Sequence, residues 1–327
     1  MGKGRILSGM RPTGRLQLGN LLGALDNWVR LQDEYECYYV VADWHVLTTG
    51  YKDTAGIMAN SREMVLDWLA AGIDPERSTI FIQSAVKQHA ELHLLLSMIT
   101  PLGWLERCPT YKDQLHQLEE REIATYGFLG YPVLQAADIL IYRADAVPVG
   151  EDQLPHLELA REIARRFNFL YGEIFPEPRA LLNQVTLLPG LDGRKMSKSY
   201  GNCIQLVDPP EQITAAIRGM VTDPQRARRH DPGNPDVCPA YAFHRAFNAP
   251  RAGEIDPMCR QAGIGCVDCK RELAETVVSY LAPFQARRAE LAAEPGYVDE
   301  ILRRGNARAQ AAAEETMALV RRMVHLA

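Results

Sequence analysis

No stretch of this 327-residue chain approaches the ~20 consecutive apolar residues of a membrane-spanning helix, so no transmembrane segment is expected. The basic start Met1-Gly2-Lys3-Gly4-Arg5 lacks the long apolar run that a secretory signal places after it, which predicts a cytoplasmic protein. Internal repeats and low-complexity segments are also missing, as in an ordinary globular protein. Excess charge of one sign is absent: the formal net charge is −5, which argues against a surface generally coated by nucleic acid. A local basic face can still bind RNA within an acidic whole. Cysteine is sparse, and seven residues in a cytosolic chain are not expected to form disulfides, so the question becomes whether any of them hold metal.

What is present is enough apolar material, 47% of residues, for one large core and a smaller one, so two domains are expected. Strand-like runs at Ile6–Leu7, Tyr38–Ala42, Thr79–Gln83 and Ala146–Val149 alternate with helical patterns at 18–34, 54–71, 88–100 and 151–168. That rhythm predicts an α/β domain with a Rossmann-like parallel sheet over residues 1–190. Residues 191–295, with helices at 209–225 and 272–287 around a Pro-, Gly- and Cys-rich middle, read as a smaller helical domain. A long amphipathic helix closes the chain at 297–326.

Two stretches carry chemistry. Gly14-Arg15-Leu16-Gln17-Leu18-Gly19-Asn20 opens a helical pattern after a short apolar run, which places glycines at a strand-to-helix turn. Amides at a helix start are unpaired and carry roughly half a positive charge, so a polyphosphate can approach where Gly14 and Gly19 leave room. Gly193-Arg194-Lys195-Met196-Ser197-Lys198-Ser199 supplies two mobile ammonium groups on a glycine-flanked loop. Lys195-Met196-Ser197-Lys198-Ser199 is identical to the signature of class I aminoacyl-tRNA synthetases, and Gln17-Leu18-Gly19-Asn20 resembles a variant of their His-Ile-Gly-His signature. The resemblance implies the helical domain binds tRNA, near its anticodon, and that the terminal helix at 296–327 returns to complete the first domain. It also implies a homodimer.

Tyr131, Gln135 and Asp138 share one face of an apolar helix that carries Pro132 near its first turn. A carboxylate withdrawn from water must be paired or hydrogen-bonded, so Asp138 either meets a protein partner or waits for a donor on a ligand. A site built around one buried donor rejects analogues that lack it, but Asp138 alone does not separate indole from phenol. Ala42-Asp43-Trp44-His45, Ala136-Ala137-Asp138-Ile139-Leu140 and Val147-Pro148-Val149-Gly150-Glu151-Asp152-Gln153 resemble the tryptophanyl branch of the class, along essentially the whole chain. That resemblance implies that Asp138 accepts the indole N–H. It further implies that Leu7, His45, Tyr131, Gln135, Val147 and Val149 line the pocket, with Gln153 near the amino acid's polar end. The expected activity is formation of tryptophanyl-adenylate from tryptophan and ATP, then transfer to tRNA. The rivals are a tyrosyl-tRNA synthetase and a noncatalytic sensor that binds tryptophan and ATP.

Activation expels pyrophosphate, which calls for positioning and charge neutralisation more than for a proton-transfer residue. Lys195 and Lys198 suit that role, Ser197, Gln17 and Asn20 add neutral donors, and Mg²⁺ shares the charge. Met10, Arg11, Thr13, Gly19, Gly150, Glu151, Asp152 and Met196 complete the expected nucleotide site. Gln17 replaces the first signature histidine, and Arg11 stands where some relatives carry glutamine.

Cys238, Cys259, Cys266 and Cys269 are separated by 20, 6 and 2 residues, whereas Cys37, Cys108 and Cys203 are scattered. Cys266-Val267-Asp268-Cys269 reads as a short chelate, with Gly263 and Gly265 permitting a tight knuckle. Spacing leaves zinc and iron–sulfur both open. A similar spacing in a subset of bacterial tryptophanyl-tRNA synthetases implies a [4Fe–4S] cluster that braces the tRNA-binding domain. Arg226, Arg228, Arg229 and His230 form a local basic patch suited to a tRNA backbone.

Overall fold

The computed structural model describes residues 3–108, 124–182 and 188–326. Its contacts divide the chain into two units. Unit 1 takes Met1–Gly14, Asn27–Asn183 and Glu294–Ala327, and unit 2 takes Arg15–Asp26 and Gln184–Ala293. The first signature, Gln17 to Asn20, thus groups with the helical unit, although the sequence pattern assigned it to the first domain.

Unit 1 is built on five parallel strands: β1 Arg5–Met10, β2 Glu36–Val41, β3 Ser78–Ile82, β4 Ala146–Val149 and β5 Arg179–Leu182. Their order is β3-β2-β1-β4-β5. The register pairs Leu7 with Tyr38 and Tyr39 with Ile80. All of β3 and β2 from Cys37 onward is buried, as expected for strands covered on both faces and for the apolar runs Cys37–Val41 and Ile80–Ile82 within them. β5 was not expected; it is a four-residue edge strand with both ends exposed, and its apolar run is only Ala180 to Leu182.

Helices Asp43–Gly50, Gln88–Ser97 and Tyr126–Ile141 pack around the carboxyl ends of these strands. Tyr38 stacks on Tyr142 at 4.6 Å between ring centres, and Phe81 meets Tyr142 edge-on at 5.3 Å. The Tyr126–Ile141 helix starts earlier than Pro132 suggests, because Thr125 Oγ1 caps it by accepting from Phe128 N–H at 3.2 Å. Pro132 therefore lies inside the helix, not in its first turn, and only one carbonyl loses its N–H partner.

The last helix, Tyr297–Met323, lies against β3 within unit 1. A Cβ on Gly305 would sit 1.7 Å from the Ile80 carbonyl oxygen, so only glycine permits this approach. The adjacent Asn306 Oδ1 accepts the Ile82 N–H at 2.9 Å, and Arg321 grips Glu91 with two bonds of 2.7 and 2.6 Å.

Unit 2 packs helices Pro210–Arg218, Pro239–Phe247, Ala249–Arg260 and Cys266–Ala292 around Ile213, Ile217, Phe243, Ile255, Leu273, Val277 and Leu281, all buried. The first of these ends at Arg218 rather than 225, because Gly219 caps it and the chain then leaves, with Val221 N–H donating to the Leu191 carbonyl at 2.9 Å. Cys266 begins the 27-residue helix. Among the described residues no helix is long and apolar enough to cross a membrane.

Candidate active site

In unit 1 the strand ends and the apolar helix enclose one buried carboxylate. Asp138, 4% exposed, accepts at Oδ1 from His89 Nδ1 (2.6 Å) and Gln83 Nε2 (2.8 Å), and at Oδ2 from His45 Nε2 (2.8 Å) and the same Gln83 nitrogen (2.9 Å). Burial alone would push this carboxyl up, but the bonds from the two imidazoles outweigh it and hold Asp138 well below the usual carboxylate range. Protein partners thus meet Asp138, the first of the two alternatives the sequence left open, while a carboxylate that offers about four acceptor positions to three donors keeps capacity for a donor on a ligand. His45 lies in the first turn of the helix that follows β2, Gln83 stands in the turn that ends β3, and His89 lies on the next helix. The resemblance pointed to His45 but not to Gln83 or His89. Their only linear signal is their position just beyond a buried strand, where parallel sheets place their ligands.

Tyr131, two helical turns before Asp138, meets His156 Nε2 through its hydroxyl at 2.8 Å, and His156 Nδ1 lies 3.4 Å from Cys108 Sγ. Burial lowers the His156 pKa, so this imidazole is neutral at pH 7 and orients the phenol without adding charge. Leu7, Val147 and Val149 are buried on neighbouring strands β1 and β4, whose ends are tied where Ser8 Oγ donates to the Pro148 carbonyl at 3.3 Å. Gln135 is partly exposed on the helix between Tyr131 and Asp138. Gln153 donates to Asp152 Oδ2 at 3.0 Å within the turn Glu151–Gln153, which Gly150 precedes. Met10 ends β1, and Arg11 and Thr13 are exposed just after it.

In unit 2 the two signatures are neighbours. A Cβ placed on Gly19 would lie 3.5 Å from the sulfur of buried Met196. The first signature is stitched to the segment after the second: Leu18 N–H donates to the Ile204 carbonyl and Leu206 N–H to the Leu16 carbonyl, both at 3.0 Å. Asn20 Oδ1 accepts the Gln17 N–H at 3.0 Å and so closes the helix start, while Gln17 Oε1 is buried with no partner among the described residues.

The lysine loop turns at Gly193, whose φ of +83° favours glycine. Asn202, buried and absent from the sequence reading, organises it: Oδ1 accepts the Ser197 N–H at 2.8 Å, and Nδ2 donates to Asp192 Oδ1 at 2.7 Å and to the Lys195 carbonyl at 3.2 Å. Lys195 is exposed and Lys198 half-buried on this frame. The side chain of Ser199 lies outside the described residues.

The four clustered cysteines line one small cavity of about 20 Å³ together with Arg226 and Lys270. Cys266 and Cys269 form no knuckle: they occupy the first turn of a long helix, which sets them on one face at i and i+3. Arg226 Nη1 donates to Cys259 Sγ at 3.6 Å, and its Nη2 donates to the Arg229 and Ile264 carbonyls at 2.9 and 2.7 Å. Arg226 is therefore turned inward and leaves the basic patch to its neighbours. Burial pushes the Cys269 thiol up to about 12, and the charges of Cys238, Cys259 and Cys266 add to the rise. Among the described residues no group of three His, Cys, Asp or Glu side chains is set to hold a single metal ion.

Residues 2–282 match the family model described as tRNA synthetases class I (W and Y). The tryptophan–tRNA ligase of Thermotoga maritima is 53% identical over 98% of this chain and 99% of its own length. That of Aquifex aeolicus is 44% identical over 98% of this chain and 100% of its own. The crystal structure of tryptophanyl-tRNA synthetase from Campylobacter jejuni, complexed with ADP and tryptophan, superposes with a TM-score of 0.88 at 34% identity, covering 98% of this chain and 100% of that one.

Proposed function

The chain belongs to the class I tRNA synthetases for tryptophan and tyrosine, and from that premise we infer how it works as a tryptophan–tRNA ligase. It joins the tryptophan carboxylate to the α-phosphorus of ATP, expelling pyrophosphate, and then passes the aminoacyl group to the 3′-terminal ribose of tRNA(Trp). The observation that carries the mechanism is the seating of Met196 beside Gly19, which joins the two phosphate-directed signatures in one unit. Lys195 and Lys198 follow the β- and γ-phosphates as charge builds on the leaving pyrophosphate, and Ser197, Gln17 and Asn20 donate neutral hydrogen bonds. Magnesium enters with ATP and shares that charge. Asn202 holds the loop in shape, so little ordering remains when ATP binds.

Asp138 selects the amino acid by taking the indole N–H, within a pocket of Leu7, His45, Tyr131, Gln135, Val147 and Val149, and Gln153 meets its polar end. The nucleotide-facing roles of Met10, Arg11, Thr13, Gly19, Gly150, Glu151, Asp152 and Met196 rest on the resemblance alone, as do a homodimer and a cytoplasmic location.

Cys238, Cys259, Cys266 and Cys269 are proposed to hold a [4Fe–4S] cluster, with zinc as the alternative. Their shared cavity and the raised thiols of Cys238, Cys259 and Cys269 supply what a cation would relieve, since metal binding favours the thiolate form. When bound, the cluster would brace the helical unit.

ATP–pyrophosphate exchange tests the reading. Exchange driven by tryptophan but not tyrosine, lost in Lys195→Ala while tryptophan still binds, is expected. Exchange with tyrosine, or exchange unaffected by the lysine, would overturn it.

A further inference from the structure

The contacts behind Asp138 point to a selection device deeper than the pocket wall. Gln83 and His89 are both fully buried, whereas the His45 side chain keeps 11% of its surface exposed. Two of the three donors to Asp138 therefore come from the closed side. Each is itself fixed. Gln83 Oε1 accepts the Trp44 N–H at 3.2 Å, which sets the amide so that its nitrogen faces both carboxylate oxygens. His89 Nε2 lies 2.7 Å from the Tyr142 hydroxyl. Burial, with the Asp138 charge behind it, raises the Tyr142 phenol well above its ordinary range, so the hydroxyl beside Nε2 keeps its proton and fixes the ring in place. As a carboxylate Asp138 only accepts, so the His89 nitrogen facing it, Nδ1, carries a proton. Asp43 Oδ1 also accepts the Ser84 N–H at 2.9 Å, tying the turn after β3 to the helix after β2.

We propose that Gln83 and His89, the latter set by Tyr142, are positioning residues that hold Asp138 ionised and aimed, so that the ligand's ring N–H meets a preformed acceptor. The proposal rests on Asp138 being that acceptor. A carboxylate gripped at both oxygens does not rotate, and neutral buried Asp138 would accept a hydrogen bond less strongly than the ion. The device rewards one feature of the ligand, its N–H, and a residue with a merely structural role would not.

The test compares kcat/KM in ATP–pyrophosphate exchange for tryptophan and for its benzothienyl analogue, in which sulfur replaces the ring N–H. His89→Leu is expected to lower kcat/KM for tryptophan about ten- to a hundredfold while the analogue changes by less than about threefold, so the preference shrinks. His89→Asn, whose amide nitrogen stands where Nδ1 stood, is expected to restore most of the preference, and Gln83→Met to weaken it as His89→Leu does. Tyr142→Phe gives a smaller loss and keeps the test open should His89→Leu fail to fold. Equal losses on both ligands, or an unchanged preference in His89→Leu and Gln83→Met, overturn the proposal. Asp138→Asn is run beside them: if it too leaves the preference intact, Asp138 is not the acceptor, and the reading beneath the proposal falls instead.

Discussion

Adding a single methyl group at two glycines should move stability in opposite directions. At Gly305 a Cβ would stand 1.7 Å from the Ile80 oxygen and 2.7 Å from its carbonyl carbon, both backbone atoms of a fully buried strand. Neither can swing away, so the last helix has to withdraw from β3 by more than about 1 Å before the contact becomes tolerable. A gap of that size forfeits a quarter to a half of the dispersion attraction between facing atoms. The helix buries Ile301, Leu302, Ala309, Ala313, Met317 and Val320, so the loss spreads along the whole interface within unit 1. Gly305→Ala is therefore expected to cost about 3 kcal/mol or more. At Gly253, inside the Ala249–Arg260 helix, nothing lies within 4 Å of the same methyl group. Gly253→Ala should be neutral or stabilising by up to about 1 kcal/mol, through helix propensity and lost freedom in the unfolded chain. Urea unfolding followed by circular dichroism reads both: the midpoint should fall by about 1 M or more for Gly305→Ala and hold or rise for Gly253→Ala. Equal midpoints for the two variants would refute the packing argument. Because Ile82 and Gln83 follow Ile80, Gly305→Ala should also raise the KM for tryptophan.

Lys195→Ala and Lys198→Ala should each lower kcat in pyrophosphate exchange about a hundredfold, with the Kd of tryptophan by equilibrium dialysis unchanged. Asp138 is held below its ordinary pKa, so its stabilisation is fully present above the unfolded value near 4 and is lost as pH falls below it. Wild-type protein should accordingly lose urea resistance between about pH 4 and pH 2 more steeply than Asp138→Asn, and parallel curves would contradict the network. Protein purified without oxygen should carry iron and acid-labile sulfide, absent after Cys266→Ser with Cys269→Ser, together with a lower Tm. Zinc without sulfide would select the alternative, and neither metal would end the cluster proposal.

Sequence by itself determined the alternation of strands and helices, because buried parallel strands read as apolar runs and amphipathic helices as three-and-four spacing. It also exposed the lysine loop and the four clustered cysteines, whose chemistry depends on residue type and short spacing. Asp138 was legible as one charge in an apolar helix. What answers that charge was not: Gln83 and His89 are 55 and 49 residues away, and each is an ordinary polar residue until β3 and β2 stand side by side. Asn202 likewise gains its role only when the loop folds back on it. The edge strand β5, the cap at Thr125 and the helical setting of Cys266 went unread for a related reason, since partners outside the segment decide each of them. Linear pattern records how much of a residue is buried. Only the tertiary structure decides which distant groups satisfy the hydrogen bonds and charges that burial leaves wanting.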